Sequence, residues 1–229
     1  MKRVPSLDGL CAISIVLVVL GHLASRHYIY WEFWHFYANT GVRIFFVISG
    51  YLITQILLRE QGRTGTISLK DFYVRRAFRI FPAAFVFLAI VSVAFWHELR
   101  WYQIGTALLY LASLGVTQPW FFMHLWSLSV EEQFYLLWPG VLRRWRSHSF
   151  TILTGVIIFA PFFSVFLYAV GARREYFATF PATADALVVG CVLAIMGSRV
   201  RRLKAMSLSA HWQLWHWCRS FPRRLWPSP

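Results

Sequence analysis

Within "FFMHLWSLSVEEQFYLLWP" four polar side chains recur at intervals of three and four: His124, Ser127, Glu131 and Tyr135. On a helix beginning near residue 124 that spacing places all four on one face. A carboxylate that fixes an imidazole in one tautomer makes the ring a better general base toward a hydroxyl. A second imidazole, His22, closes the apolar run "DGLCAISIVLVVLGHLAS". If Glu131 and His22 meet, the pair is equipped to deprotonate an alcohol. Simpler readings stand beside this one: an interfacial helix wets its polar face without any catalysis, and a histidine at the end of a span can rest among headgroups. Glu131 and its neighbour Glu132 weigh against the simple reading, because a carboxylate inside a span is costly unless it is paired or protonated.

Composition sets the elements that must carry these groups. Of 229 residues, 58% are apolar, 19% aromatic and 14% charged, more apolar than a soluble core of this size needs. The expected fold class is an all-α integral membrane protein. The net charge of +14 comes from short basic clusters between apolar runs, which is how cytoplasmic loops are marked and a weak argument for nucleic acid, so no nucleic-acid partner is expected. Cys11, Cys191 and Cys218 make neither a metal spacing nor an even set, so neither a metal site nor disulfides are expected. Lys2 and Arg3 flank the first run as in a signal peptide, but no small-x-small cleavage site follows, so the run is read as a retained helix.

Runs near the length a span requires lie at about 8–26, 40–58, 80–97, 120–142, 150–170 and 182–198. With the amino terminus inside, a full crossing by "IGTALLYLASLGVTQ" would strand "RRWR" and "RVRRLK" outside, against the positive-inside bias. A short re-entrant or interfacial segment at 104–117 returns both clusters to the inside. The expectation is a polytopic bundle of about six transmembrane helices plus that segment. Residues 1–198 form the membrane domain. Residues 199–229, rich in tryptophan, arginine and proline, form a basic tail unlike a membrane helix; one reading is a cytoplasmic or interfacial tail, the other a tail foreign to the fold.

At this point the chain resembles the acyltransferase 3 family of membrane acyltransferases. "SLDGLCAISIVLVVLGH" is similar to its first helix, "GVRIFFVISGYLIT" to its second, "FYVRRAFRIFPA" to its basic cytoplasmic loop, "HLWSLSVEEQFYLLWP" to its signature and "ADALVVGCVLA" to a later helix, in the expected order. The resemblance implies a multi-pass protein of a bacterial inner (cytoplasmic) membrane that moves an acyl group, acetyl by preference, from cytoplasmic acyl-CoA to a hydroxyl of a cell-surface carbohydrate or glycolipid. No cofactor is implied beyond acyl-CoA as co-substrate. It implies that His22 and Glu131 are catalytic and that Arg76 and Arg79 lie near the donor; His124, Ser127 and Tyr135 complete the binding face. Arginine forks suit phosphates, although positive-inside topology alone also accounts for the loop charges.

Two departures temper the expectation. The family's arginine eleven positions before its histidine is Cys11 here. That offset is about three turns and roughly 16 Å along the same helix face. Cysteine lacks the fork, and Arg3 or Arg43 is the expected compensator. The family also has about ten spans against about six here. Two alternatives therefore stay open: an inactive truncated remnant of the family, or a non-catalytic transport or sensory protein of the membrane.

Overall fold

The computed structural model describes residues 5–25, 34–114, 118–172 and 179–199. They form seven helices: α1 Pro5–Ser25, α2 Trp34–Thr64, α3 Leu69–Ala94, α4 Trp101–Leu108, α5 Leu125–Arg144, α6 Ser149–Ala169 and α7 Phe180–Arg199. No strand occurs among the described residues. Five helices, all but α4 and α5, are long and apolar enough to cross a membrane. α5, at 20 residues, is also long enough, but Glu131, Glu132 and Gln133 interrupt its apolar surface. The fold is an all-α, multi-pass membrane bundle.

Cross-links between helices fix their directions. α2 and α7 run parallel, joined in ascending order by Arg43 with Asp185, Gly50 with Leu187 and Gln55 with Ala194. α2 and α5 are parallel too, through Ser49 with Glu131 and Trp138 with Thr54. α3 opposes α5, because Tyr73 donates to the Leu136 carbonyl while Phe87 packs edge-on to His124. The carboxyl ends of α2, α5 and α7, with Arg63, Arg143, Arg144 and Arg199, therefore lie at one end of the bundle.

It follows that the chain leaves α3 and enters α5 at the same end. The α4 helix spans only 8 residues, far short of the about 20 a crossing takes. Here the described part of the expected re-entrant or interfacial segment at 104–117 holds the end of that short helix and a turn at Tyr110, followed by a 3-10 turn over Trp120–Phe122; residues 115–117 lie outside the described residues. Stacking of Phe95 on Phe121 at 4.5 Å ties this cap to α3.

Helix boundaries correct one expectation. The basic stretch from 59 to 79 is not a loop: α2 runs through Thr64 and α3 starts at Leu69, so Arg75, Arg76 and Arg79 stand on a helix. Ser68 caps α3, its hydroxyl oxygen accepting from the Asp71 amide at 3.4 Å, and Gly65 turns the chain with φ of 78°. Glu60 knits the turn by accepting from the Ser68 amide and from Arg75.

The core centres on α2, α5 and α7, with Phe46, Leu57, Val130, Phe134, Leu142, Leu187 and Cys191 all buried. Small residues allow the closest approach. A Cβ on Gly50 would strike the Leu187 carbonyl, and one on Gly190 would strike the Val47 carbonyl, so each helix lends the other a bare backbone. Cys191 behaves as a small core residue, donating to the Leu187 carbonyl at 3.3 Å. α1 seats on Gly41 of α2, where Ser14 Oγ donates to the Gly41 carbonyl at 2.6 Å.

Candidate functional site

The polar stripe of α5 is divided by depth. His124 immediately precedes the helix and is exposed; Ser127 is half-buried and donates to the His124 carbonyl at 3.0 Å. Two turns deeper, Glu131 and Tyr135 are buried, at 5% and 4% exposure. The stripe thus runs from an exposed end to a buried one.

At the buried end, Ser49 of α2 donates to Glu131 Oε1 and also touches the Tyr135 hydroxyl. Tyr135 donates to the same carboxylate oxygen at 3.1 Å. His22 was one candidate partner for Glu131; the carboxylate is held by Ser49 and Tyr135. The reason is register: Ser49 lies on the α2 face that packs against α5, whereas His22 closes α1, which packs on another side of α2. His22 is exposed and lies within electrostatic range of His124, so both imidazoles stand at the same end of the bundle.

Beside Glu131 lies a second charged unit. Arg76 of α3 donates to Glu132 from Nη2 at 2.8 Å and from Nε at 3.2 and 3.3 Å. Its guanidinium lies 3.3 Å above the Tyr135 ring centroid. Both partners of the ion pair are mostly shielded, at 17% and 15% side-chain exposure. Arg79, one turn along, is exposed and joins no hydrogen bond or ion pair among the described residues. Of the two arginines singled out in the sequence, one enters the cluster and one does not.

A cavity of about 420 Å³ opens against this unit. Arg76, Glu132 and Gln133 form its polar wall, and Phe81, Leu109 and Leu136 its apolar one. Tyr110 also lines it, with φ of 53°, a left-handed conformation uncommon for a tyrosine. Gln133 holds that segment by donating to the Tyr110 carbonyl at 3.1 Å and to Ser113 Oγ at 3.0 Å.

Arg43, one proposed stand-in for the arginine missing at Cys11, is committed elsewhere: it pairs with Asp185 of α7 at 2.8 Å. Arg3 lies outside the described residues, as does the tail from 200 to 229. Sequence reasoning missed Ser49, Glu132 as the arginine's partner, Tyr110 and Asp185. Ser49 had a signal, being a hydroxyl inside the apolar run "FFVISGYLIT". Tyr110 had none, since nothing in its neighbours announces a left-handed turn.

A helical membrane bundle with buried hydroxyl, carboxylate and guanidinium groups clustered between α2, α3 and α5 defines the class: a multi-pass membrane protein with a polar cluster inside its helices. A family model described as an acyltransferase domain, of the acyltransferase 3 type, matches residues 4–221. The chain belongs to the acyltransferase 3 family. It is similar to the peptidoglycan O-acetyltransferase OatA of Listeria monocytogenes, at 32% identity over 85% of this chain and 34% of that protein. A Staphylococcus aureus protein named provisionally as an O-acetyltransferase is also 32% identical, over 86% of this chain and 35% of its own length. A Bacillus subtilis protein named provisionally as a peptidoglycan O-acetyltransferase matches at 32%, over 85% and 33%. This chain spans about a third of the length of the curated relatives it matches. No solved structure matches it significantly.

Proposed function

We propose that the chain forms the amino-terminal helical part of an O-acyltransferase that moves an acyl group, acetyl in the first instance, from cytoplasmic acyl-CoA to a hydroxyl of cell-wall carbohydrate in a bacterial cytoplasmic membrane. The observation that carries this reading is that His22 and His124 lie within electrostatic range of each other at one end of a bundle whose interior holds Ser49, Glu131, Tyr135, Arg76 and Glu132. Similarity to a peptidoglycan O-acetyltransferase supports the acceptor class.

In this reading His22 is the general base. It takes the proton of the acceptor hydroxyl as the oxygen attacks the thioester carbonyl; the carbon–sulfur bond breaks, and the coenzyme A thiolate leaves and is protonated. His124 and Ser127 bind and orient the acceptor hydroxyl beside His22. Glu131 acts on the buried side, where Ser49 and Tyr135 hold its carboxylate, by setting the field around the reacting groups. Arg76 and Arg79 serve the donor phosphates differently: the exposed Arg79 is open to an anion, while Arg76 must exchange its Glu132 contact for one.

The test is transfer of labelled acetyl from acetyl-CoA to peptidoglycan fragments by membranes carrying this chain, compared with His22→Ala. Loss to background, a factor of roughly 10² or more, with unchanged protein in the membrane supports the base assignment. Equal product from both membranes removes His22 from the mechanism.

A further inference from the structure

Between α5, α6 and α7, away from the polar cluster, lies a second cavity of about 310 Å³ whose lining is wholly apolar. Trp138 contributes only its ring, because its indole N–H is turned aside to Thr54 Oγ1 at 2.9 Å. A pocket with no polar anchor suits hydrocarbon and little else.

One end of this cavity meets a concentration of positive charge. Its rim residue Val141 lies one helical turn before Arg144, and Ile152 lies two residues after Phe150, whose ring sits 5.7 Å below the Arg199 guanidinium. Arg143 and Arg146 stand at the same end, and all four arginines are exposed. None of the four is in an ion pair among the described residues. The sequence supplies no Asp or Glu from 133 to 172 or from 186 onward, so no nearby part of these helices can neutralise them. Trp145, half exposed in the same turn, is an interfacial residue type and marks headgroup depth.

We infer that the α5–α6–α7 groove is a binding site for one anionic phospholipid, with its phosphate on Arg144 and Arg199 and an acyl chain in the cavity above them. Ordinary surface attraction draws anionic headgroups to any basic end. This site differs in adding an apolar slot whose rim residue Val141 lies one helical turn from Arg144. It is separate from the proposed acyl-transfer site and does not depend on it.

The experiment is native mass spectrometry on the whole chain, purified in detergent, stripped of lipid and titrated with phosphatidylglycerol or with phosphatidylcholine of the same acyl chains. The wild type should retain phosphatidylglycerol roughly tenfold or more over phosphatidylcholine. The double variant Arg144→Gln, Arg199→Gln should lower phosphatidylglycerol to the phosphatidylcholine level. Val156→Phe, which fills the slot, should lower both lipids. Arg59→Gln with Arg63→Gln, at the end of α2, should change neither by more than about twofold. Wild-type retention in Val156→Phe, or an equal loss on neutralising α2, overturns the site and leaves only surface charge. Elution volume and thermal midpoint check folding; should Val156→Phe fail to fold, Leu137→Trp on the exposed rim takes its place with the same two readings.

Discussion

Tyr135 serves Arg76 and Glu131 at once: its ring lies 3.3 Å beneath the guanidinium while its hydroxyl donates to the carboxylate. The two charged units of the site are therefore coupled through one side chain, and the coupling can be dissected. Tyr135→Phe keeps the stack and removes the hydrogen bond, at an expected cost of about 1–3 kcal/mol. Tyr135→Leu removes both, adding about 1–2 kcal/mol. Unfolding in detergent, followed by tryptophan fluorescence, separates the two steps. An identical loss in both variants rules out the cation–ring contribution.

The shielded pair Arg76–Glu132 should respond asymmetrically to single and double changes. Arg76→Gln or Glu132→Gln leaves one charge without its partner, an expected loss of about 3–5 kcal/mol. The double variant should lose clearly less than the sum of the singles. A double-mutant cycle on thermal stability measures the difference. Additive losses mean the two charges are solvated independently.

Glycine substitutions should sort by what faces them. Gly190→Ala places a methyl against the Val47 carbonyl, which no side-chain rotation can relieve, and should cost at least about 1–3 kcal/mol. Gly155→Ala on α6 meets open space and should be neutral or slightly stabilising, by up to about 1 kcal/mol. Melting temperatures of the two variants decide it; similar losses contradict the close approach of α2 and α7.

The parallel course of α2, α5 and α7 fixes which positions share a side. Single cysteines replacing Arg63 and Arg146 should react together with a membrane-impermeant thiol reagent, and a cysteine at Glu98 should react from the opposite face. These labels are read against a background with the native cysteines removed. Reaction of positions 63 and 146 from opposite faces requires an additional crossing between residues 95 and 124.

Much of this arrangement was legible in the residues. Span-length apolar runs located every long helix, and the three-and-four spacing of His124, Ser127, Glu131 and Tyr135 located the α5 face. The positive-inside argument also anticipated that the α4 region does not carry the chain across. The carboxylate's partner was not legible. Spacing within one helix says which side chains share a face but not which neighbouring helix faces them, and Glu131 met Ser49 of α2 rather than His22 of α1. Helix ends were misjudged for a related reason: arginines mark a loop by charge, yet a capped helix with long side chains carries them as readily, as α3 does from Leu69.

The central position of α2 has a consequence for the order of assembly during synthesis. Its contact with α1, Ser14 to Gly41, closes over 27 residues and forms as soon as the first hairpin emerges. Its contacts with α5 wait 82 and 84 residues, and Gln55 waits 139 for the Ala194 carbonyl. Through that interval α2 holds Ser49 and Thr54 in the bilayer before Glu131 and Trp138 of α5 arrive, each a polar group in search of a donor or acceptor. The nascent chain is most exposed to mispairing between the birth of α2 and the birth of α7. A slowing of translation, or a membrane chaperone that masks one polar helix face, would act in that window.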